Sequence, residues 1–511
     1  MTTPAIALPR SYADEERAVA PILPLAARTW SLLCRHWGAV AAVALALGLH
    51  VPTLGYYFGG DDLVVIADIA SKPFGPWAAD VLRMRDITPS WRPLTHLIYW
   101  TEFQAAGMNP FVFRAVNLGT HAVSVALLYA LVARLTGRRG VGAFVASGFA
   151  IHGAHFDTVP YITALPHVLA TALLFASMLL MHAYAQGGAT RHGLYAGSVL
   201  AFALLFLANE GSVIFAPALC LVYLLYAPRP LSLPKLVVVS LPFAVFFWGF
   251  FIYYQSCSCS NLKFDGDGMS WGIHQARNLW IYLAWLTLPT GNIDWHAGAL
   301  HWTLGSFAML AAAAAYVRGL AWGRLAAVSL VLALLPYTPV EVWTASRYTY
   351  AAAPFFLLVA ASALLPLFDA AARPFKPAAV VLALGFAAAL AGFYGHQTFT
   401  HNREVGQRTA RWDLLMDDLR AMYPTVPSGT TIYVLDGLWS DPLWQWAWLP
   451  SVGKLLYGDA TVQAMDGPDF VKRHPELLPN EIVLMYRDGH LRRPFPGELP
   501  IEPAPYPPFA P

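Results

Sequence analysis

Two adjacent carboxylates follow the first long apolar run of the sequence. They are Asp61 and Asp62, in a chain in which only 12% of residues are Asp, Glu, Lys or Arg. A carboxylate within hydrogen-bond reach of a hydroxyl group can act as a general base. Because neighbouring carboxylates repel each other, we expect one of the pair to have a raised pKa or a cation beside it. A solvated pair that caps the next helix is the alternative interpretation.

Cationic and amide side chains come next in the sequence. Arg92 lies in the same connection as the aspartates, where an arginine that reaches along the membrane interface is the alternative. Arg114, Asn117 and His121 recur at i, i+3 and i+7, which places them on one face of a helix. A polar stripe within a membrane-spanning helix has to meet other polar groups or a water-filled cavity. These three residues are therefore candidates for a binding site.

Later connections hold the remaining ionisable candidates. The stretch FAIHGAHFDTV carries His152, His155 and Asp157, which are metal-ligand residue types, but their spacing matches no standard zinc signature well. We therefore expect no required metal or other cofactor and leave a divalent metal open. Two further connections contribute candidates for which an ordinary loop residue is the alternative: Glu210, Arg347 and Tyr348.

The composition of the chain is that of a membrane protein. The 511 residues are 57% hydrophobic, and the mean hydropathy is +0.50. Its 18 Trp and 23 Tyr suit the aromatic belts at the two faces of a bilayer. A net charge of +2 argues against a nucleic-acid partner, because nucleic-acid binding requires a basic surface.

Eleven apolar runs are long enough to cross a bilayer, which takes roughly 17 or more residues. Five basic connections between them fall on the cytoplasmic side if the N-terminus is cytoplasmic, as the preference of Lys and Arg for that side requires. The segment 271–289 is only partly apolar and would reverse this agreement if it spanned, so we expect an amphipathic helix on the outer interface. The eleven runs lie near 38–55, 111–135, 140–152, 161–185, 193–209, 211–227, 235–254, 301–317, 322–339, 349–368 and 377–396.

This topology divides the chain into three parts. Residues 1–37 form a cytoplasmic N-terminal segment, and residues 38–396 form a transmembrane domain with a long outer loop at 55–110. Residues 397–511 form an extracytoplasmic α/β domain, because TTIYVLDGLW and NEIVLMYRDGHLRR have the pattern of strands and RTARWDLLMDDLRAMY has that of an amphipathic helix. A Pro-rich tail ends the chain.

The carboxylates, histidines and arginines thus come from separate connections but converge on the outer face of the membrane. Acids and arginines at the mouth of a helix bundle suit a substrate with an anionic head and a lipid tail, because the guanidinium fork matches phosphate. A base beside a phosphate clamp indicates group transfer from a lipid phosphate. Two alternatives remain: a transporter or flippase for a lipid-linked sugar, and a non-catalytic scaffold that binds the cell envelope.

The order of these motifs resembles the GT-C superfamily of integral-membrane glycosyltransferases. The likeness is to the branch of TMTC-type protein O-mannosyltransferases and their bacterial relatives, and it covers roughly residues 38 to 355. In that branch an acidic outer loop is followed by an Arg-Pro-Leu stretch, an Asn-x-x-x-His helix and a His-Pro-x-His-x-Glu-x-Val turn. The residues that match, in order, are Arg92-Pro93-Leu94, Asn117 with His121, His152, His155, Asp157, Val159, Glu210, and Arg347-Tyr348 with Tyr350.

The resemblance implies a single sugar moved from a polyprenyl-phosphate donor at the outer face of the cytoplasmic (inner) membrane, with inversion at the anomeric carbon. Asp61 is then the expected base, with Asp62 as its partner or substitute. Arg92 and Arg347 are expected at the phosphate, near Arg114 and His155. The other candidates for binding the donor are Asn117, His121, Asp157, Glu210 and Tyr348.

The sequence also departs from the pattern of that branch. Gly153 stands in place of its Pro, Asp157 in place of its Glu, and Asn209 where a Lys usually precedes the Glu. The tetratricopeptide repeats of the TMTC-type proteins have no counterpart, and the domain at 397–511 takes their place. The acceptor is therefore left open between a protein, a glycolipid and a polysaccharide.

Overall fold

A computed structural model describes ten stretches of the chain. They are residues 36–83, 91–187, 191–228, 230–256, 270–289, 298–341, 344–371, 377–435, 448–466 and 479–495. Nearly all of the predicted N-terminal segment, part of the outer loop and the Pro-rich tail lie outside the described residues.

The described residues form sixteen α-helices and one small sheet. Short 3₁₀ segments join several helices and carry candidate site residues; they include Gly153–Asp157, Glu210–Phe215 and Ser346–Thr349. The helices are α1 (Trp37–His50), α2 (Asp61–Ala70), α3 (Phe74–Arg83), α4 (Pro93–Ala106), α5 (Pro110–Thr136), α6 (Arg139–Ala150), α7 (Leu165–Gln186), α8 (His192–Ala208), α9 (Ala216–Tyr226), α10 (Leu233–Ser256), α11 (His274–Thr287), α12 (Ala299–Val317), α13 (Ala321–Leu334), α14 (Ala353–Ala371), α15 (Pro377–Met422) and α16 (Trp448–Tyr457).

All eleven predicted apolar runs are helical, which confirms a multi-pass α-helical membrane fold. Among the described residues, five helical segments are long and apolar enough to cross a membrane, and four shorter apolar helices accompany them. The number of eleven spans stays a prediction. The five segments are Trp37–Gly55, Pro110–Thr136, Ile162–Gln186, Leu233–Ile252 and Ala299–Val317.

Helix α11 corresponds to the predicted amphipathic segment at 271–289. At 14 residues it is too short to span a bilayer, which takes about 20. However, residues 281–286 are all buried, because the helix packs against α12 and against the 3₁₀ turn Ser346–Thr349. Its Asn278 donates hydrogen bonds to the carbonyl oxygens of Thr338 and Val340. The helix is therefore an internal support for the connection that carries Arg347.

Helix α15 joins two segments that the sequence had divided at residue 397. It runs for 46 residues without a break, and at 1.5 Å per residue it is about 70 Å long, roughly twice the thickness of the bilayer core. Its first part is the last apolar run, and its second part is the amphipathic helix assigned to the C-terminal domain. The helix therefore connects the membrane part rigidly to the C-terminal part.

The C-terminal part contains the predicted small α/β fold. Its four strands are arranged in the order β2-β1-β3-β4, with β1 parallel to both β2 and β3 and with β3 antiparallel to β4. Asp488 and Gly489 both have positive φ, of 54° and 87°, and form the expected tight hairpin turn. The strands are β1 (Thr431–Leu435), β2 (Gln463–Asp466), β3 (Glu481–Arg487) and β4 (His490–Arg492).

Two large hydrophobic cores hold most of these elements, and a third, small cluster is formed by β1 and β3. The larger core fills the transmembrane bundle. The second is shared between the outer loop and the C-terminal part: Leu63 and Ile66 of α2 belong to the same buried cluster as Leu419 of α15, Val452 of α16 and Leu484 of β3. Because α16 packs directly on α2, the C-terminal part fixes the helix at which the acidic pair begins.

Candidate active site

The two aspartates occupy different environments. Helix α2 begins at Asp61, directly after Gly60, whose φ of +60° allows the chain to turn sharply into the helix. The Asp61 side chain is 53% exposed, whereas that of Asp62 is 1% exposed. Successive helical residues point about 100° apart, so one carboxylate faces outward and the other faces the protein interior.

Asp62 is held by the surrounding backbone. Its Oδ1 accepts hydrogen bonds from the amide and hydroxyl groups of Thr163, at 2.9 and 3.0 Å, and its Oδ2 accepts one from the Gly59 amide at 3.3 Å. Burial raises the pKa of Asp62, and the positive charge of Arg114, 4.0 Å away, opposes this shift. Asp62 thus ties the start of α2 to the segment before α7.

Asp61 lies in an ion-pair network with two residues from distant parts of the sequence. Nη1 of Arg347 is 3.6 Å from Oδ2 of Asp61, and Nε of Arg347 is 3.3 Å from Oδ2 of Asp157. Burial raises the pKa of Asp157, and the Arg347 guanidinium opposes this shift. The structure therefore places one arginine between an exposed and a largely buried carboxylate.

A second ion pair forms at the start of α4. Nε and Nη2 of Arg92 donate to Oε2 and Oε1 of Glu210, at 2.9 and 3.3 Å, in a two-pronged geometry. The side chain of Asn209 accepts a hydrogen bond from the Gly211 amide and so begins the 3₁₀ turn that presents Glu210. Asn209, the departure from the family's Lys, therefore orients the loop.

An aromatic pair connects the two ion-pair clusters. The Tyr348 ring stacks on Tyr337 with a centroid separation of 4.3 Å and an angle of 7° between the planes. The ring of His167 lies within 6.0 Å of both, and the charges of Arg92 and Arg347 both act on this imidazole. The site candidates from four connections thus meet in one region.

The polar stripe of α5 has a supporting place in the structure. Arg114 donates to the carbonyl oxygens of Tyr56, Tyr57 and Pro160. Asn117 donates from its amide to the carbonyls of residues 158, 159 and 161, at 2.7 to 3.2 Å. The stripe meets polar groups as predicted, but these are the backbone of two connections, so its binding of a substrate stays a prediction.

The histidine candidates are buried beside this stripe. His121 makes a 2.7 Å hydrogen bond from Nδ1 to the Tyr350 hydroxyl, and its ring centroid is 5.6 Å from that of His155. His155 in turn packs against Tyr350 and Phe149. Neither imidazole contacts the Asp61–Arg347 network directly. Within the described residues, no three His, Cys, Asp or Glu side chains are grouped so as to hold a metal ion.

Two residues near the network were missed by the sequence analysis. Thr163 anchors Asp62, and Arg408 of α15 lies close enough for its charge to act on Asp157 and Tyr161. Nothing in the sequence pattern marks Thr163. Arg408 begins the stretch that the sequence analysis assigned to an amphipathic helix, but the pattern did not indicate that this helix borders the site.

Known proteins resemble this chain over a short stretch of sequence and, separately, in fold. No protein-family model matches the chain. Human and mouse protein O-mannosyl-transferase TMTC1 are each 35% identical to it over 91 residues, which is 18% of this chain and 10% of theirs. The chain therefore matches only a small part of these curated relatives.

A solved structure resembles the chain over most of its length. ArnT from Cupriavidus metallidurans, bound to undecaprenyl phosphate, aligns with a TM-score of 0.50 at 13% identity, over 88% of this chain and 93% of ArnT. The apo state of ArnT aligns with the same TM-score over 91% and 94%. The resemblance to the GT-C superfamily is confirmed at the level of the fold: this chain has the GT-C fold.

Proposed function

We propose that this protein is a membrane glycosyltransferase that moves a single sugar from a polyprenyl-phosphate donor to a hydroxyl group of an extracytoplasmic acceptor. The shared fold supports this, because ArnT has been solved with undecaprenyl phosphate bound. So does the 91-residue likeness to a protein O-mannosyl-transferase. The observation that carries the proposal is the pair of unequal aspartates, one exposed beside an arginine and one anchored in the backbone.

Asp61 is the general base in this proposal. A base must be accessible to the acceptor, and the Asp61 side chain is 53% exposed with the guanidinium of Arg347 beside it. Asp62 is unsuited to that role, because its oxygens already accept three hydrogen bonds inside the protein. Asp62 instead positions the base by fixing the first turn of α2.

The reaction is a single displacement at the anomeric carbon. The acceptor oxygen forms a bond to that carbon and gives its proton to Asp61, while the bond between the carbon and the phosphate oxygen breaks. Attack opposite to the leaving group inverts the anomeric centre. The polyprenyl phosphate leaves as a stable anion and needs no proton, but it does need positive charge where its negative charge develops. Arg347 and Arg92 are the proposed cations, and the remaining candidates shape the site.

The proposed site faces the outer side of the cytoplasmic membrane. A long donor tail would lie along the helices that follow the outer loop, and the sugar would lie at the level of Asp61. The C-terminal part, which shares a core with the outer loop, is then extracytoplasmic and adjacent to the acceptor.

Release of polyprenyl phosphate from a panel of donors tests this function. The purified protein in nanodiscs is offered polyprenyl-phosphate mannose, glucose and arabinofuranose, with envelope extract as the source of acceptor. Wild type is expected to release polyprenyl phosphate from one donor, and Asp61→Asn is expected to lower that rate at least a thousandfold. Asp80→Asn is the matched control, because this carboxylate of the same outer loop pairs with Lys72 and not with the site.

Two results would contradict the proposal. Equal rates for wild type and Asp61→Asn would remove Asp61 as the base. Binding of the donors without any turnover would favour the transporter or the scaffold. A transporter binds the lipid-linked sugar and a scaffold binds the envelope, but neither breaks the bond between the sugar and the phosphate.

A further inference from the structure

The two arginines proposed at the phosphate are already paired with carboxylates. Arg92 makes a two-pronged pair with Glu210, and Arg347 lies between Asp61 and Asp157. Three carboxylates and two guanidinium groups leave one unit of negative charge in this region. A phosphate anion would be repelled by such a balance. The site therefore needs a further cation if it is to hold a phosphate.

Arg408 is placed to supply that charge. It is an exposed residue of α15, and it follows the buried Val405 by three positions and precedes the buried Trp412 by four. It therefore flanks the face of α15 that packs on the protein. That helix packs against the 3₁₀ turn Gly153–Asp157, which ends at the carboxylate held by Arg347. Within the described residues, Arg408 makes no ion pair shorter than 4.0 Å.

The position of Arg408 is fixed by close contacts on either side of it along the helix. A Cβ atom added to Gly406 would lie 2.7 Å from the Tyr56 ring, and one added to Gly59 would lie 2.8 Å from Cγ2 of Thr409. The segment 56–59 that leads into the acidic pair is therefore pressed against the same turn of α15 that carries Arg408. A rigid turn presents a guanidinium group at low entropic cost.

We propose that Arg408 binds the phosphate group of the polyprenyl donor, as a cation near the site that no carboxylate of the described residues holds. This inference rests on the proposed function. It adds a phosphate-binding residue that lies outside the motifs that resemble the GT-C superfamily. Arg408 is exposed, so a phosphate can contact it while Arg347 keeps its pairs with Asp61 and Asp157. Those pairs then remain available to hold Asp61 in place.

Lipid binding by the full-length protein tests the inference separately from turnover. The protein in phosphatidylcholine nanodiscs is titrated with undecaprenyl phosphate and, in parallel, with undecaprenol, which has the same tail and no phosphate. We expect Arg408→Gln to weaken binding of undecaprenyl phosphate about tenfold or more, as for loss of a charge-assisted hydrogen bond, and to leave binding of undecaprenol unchanged. Arg408→Lys keeps the charge but not the fork, and should lose less.

Arg411→Gln is the matched control. Arg411 is an exposed arginine one turn further along α15, and its charge acts on Tyr486 of the sheet and not on the site. This variant should bind undecaprenyl phosphate as wild type does. Melting temperatures measured in the same nanodiscs before either undecaprenyl lipid is added check that each variant is folded. Because both arginines are exposed, we expect these temperatures to match that of wild type.

Three outcomes would overturn the inference, and they differ in what else they affect. If wild type prefers undecaprenyl phosphate and Arg408→Gln binds it equally well, Arg408 is not a phosphate ligand and the proposed function stands. If Arg408→Gln weakens both lipids alike, the residue supports the fold and does not recognise phosphate. If wild type shows no preference for the phosphate, both the inference and the proposed function fail.

Discussion

Arg92 and Glu210 are 118 positions apart in the chain, and they form a two-pronged ion pair between the outer loop and the 3₁₀ turn Glu210–Phe215. The Glu210 side chain is 9% exposed and that of Arg92 is 24% exposed. Such a pair compensates two desolvated charges, so that removing either partner leaves the other uncompensated.

We therefore expect Arg92→Met to lower the free energy of unfolding by about 2 kcal/mol. We also expect it to lower donor turnover under conditions in which the variant is still folded. The double variant Arg92→Met/Glu210→Gln should recover much of the stability, because it leaves no unpaired charge, but none of the activity. Thermal unfolding and donor turnover of the two single variants and the double variant measure both effects. A double variant that is less stable than either single variant would contradict this account.

Asp62 is expected to act on the position of Asp61 and not on the proton transfer. Asp62→Asn keeps the shape but loses part of the acceptor capacity for Thr163, so it should lower kcat by about tenfold to a hundredfold and leave the pH dependence of kcat/KM in place. Thr163→Val removes one of these hydrogen bonds and should give a smaller loss of the same kind. If Asp62→Asn abolished turnover as completely as Asp61→Asn, the two roles would have to be exchanged.

The sequence allowed the fold to be predicted, because the fold depends on strong local signals, and it marked charged residues that the structure brings together, whose roles stay predictions. Apolar runs of bilayer length define the helices, and charged side chains are rare enough in this chain to stand out. The sequence analysis expected Asp61 and Arg347 on the same face of the membrane, but it did not predict that they pair with each other.

What could not be predicted depends on partners that are distant in the sequence. The stripe of Arg114 and Asn117 indicates that these side chains make polar contacts. It does not indicate that their partners are backbone carbonyl oxygens of neighbouring turns. Strand β2 has only four residues, which is too short for an alternating pattern to be recognised, and the sequence analysis did not single out the ten residues of α16. An apolar face shows that a partner exists and does not identify it, which is why the core shared by α2 and α16 was missed.

That shared core leads to a prediction about the C-terminal part. Leu449 of α16 is 1% exposed within the cluster that includes Leu63 and Ile66 of α2. Leu449→Ala should cost about 2 to 4 kcal/mol and should also lower turnover, because the start of α2 loses its support. Leu330→Ala, at a buried position of α13 in the transmembrane core, is the matched control and should cost similar stability with less effect on turnover. Equal losses of activity would mean that the C-terminal part does not position Asp61.

Glu102 of α4 gives a prediction for the dependence of stability on pH. The residue is 5% exposed, and neither carboxylate oxygen has a hydrogen-bond partner among the residues that the structure describes. Burial raises the pKa of Glu102 from 4.5 to about 8. The folded protein therefore keeps this proton between about pH 4.5 and 8, while the unfolded chain releases it. The free energy of unfolding should fall by about 1.4 kcal/mol per pH unit across this window and level off above it.

Glu102→Gln removes the titrating group and should remove this slope. The variant should be close to wild type in stability at pH 4.5 and increasingly more stable as the pH rises towards 8. Melting temperatures in nanodiscs at pH 5, 7 and 9 measure the difference, with Glu481→Gln, a partly exposed carboxylate at the start of β3, as the control that keeps the wild-type slope. If wild type and Glu102→Gln had the same dependence of stability on pH, Glu102 would not titrate differently in the folded and unfolded protein. A neutral Glu102 at pH 7 in the folded protein would then be excluded.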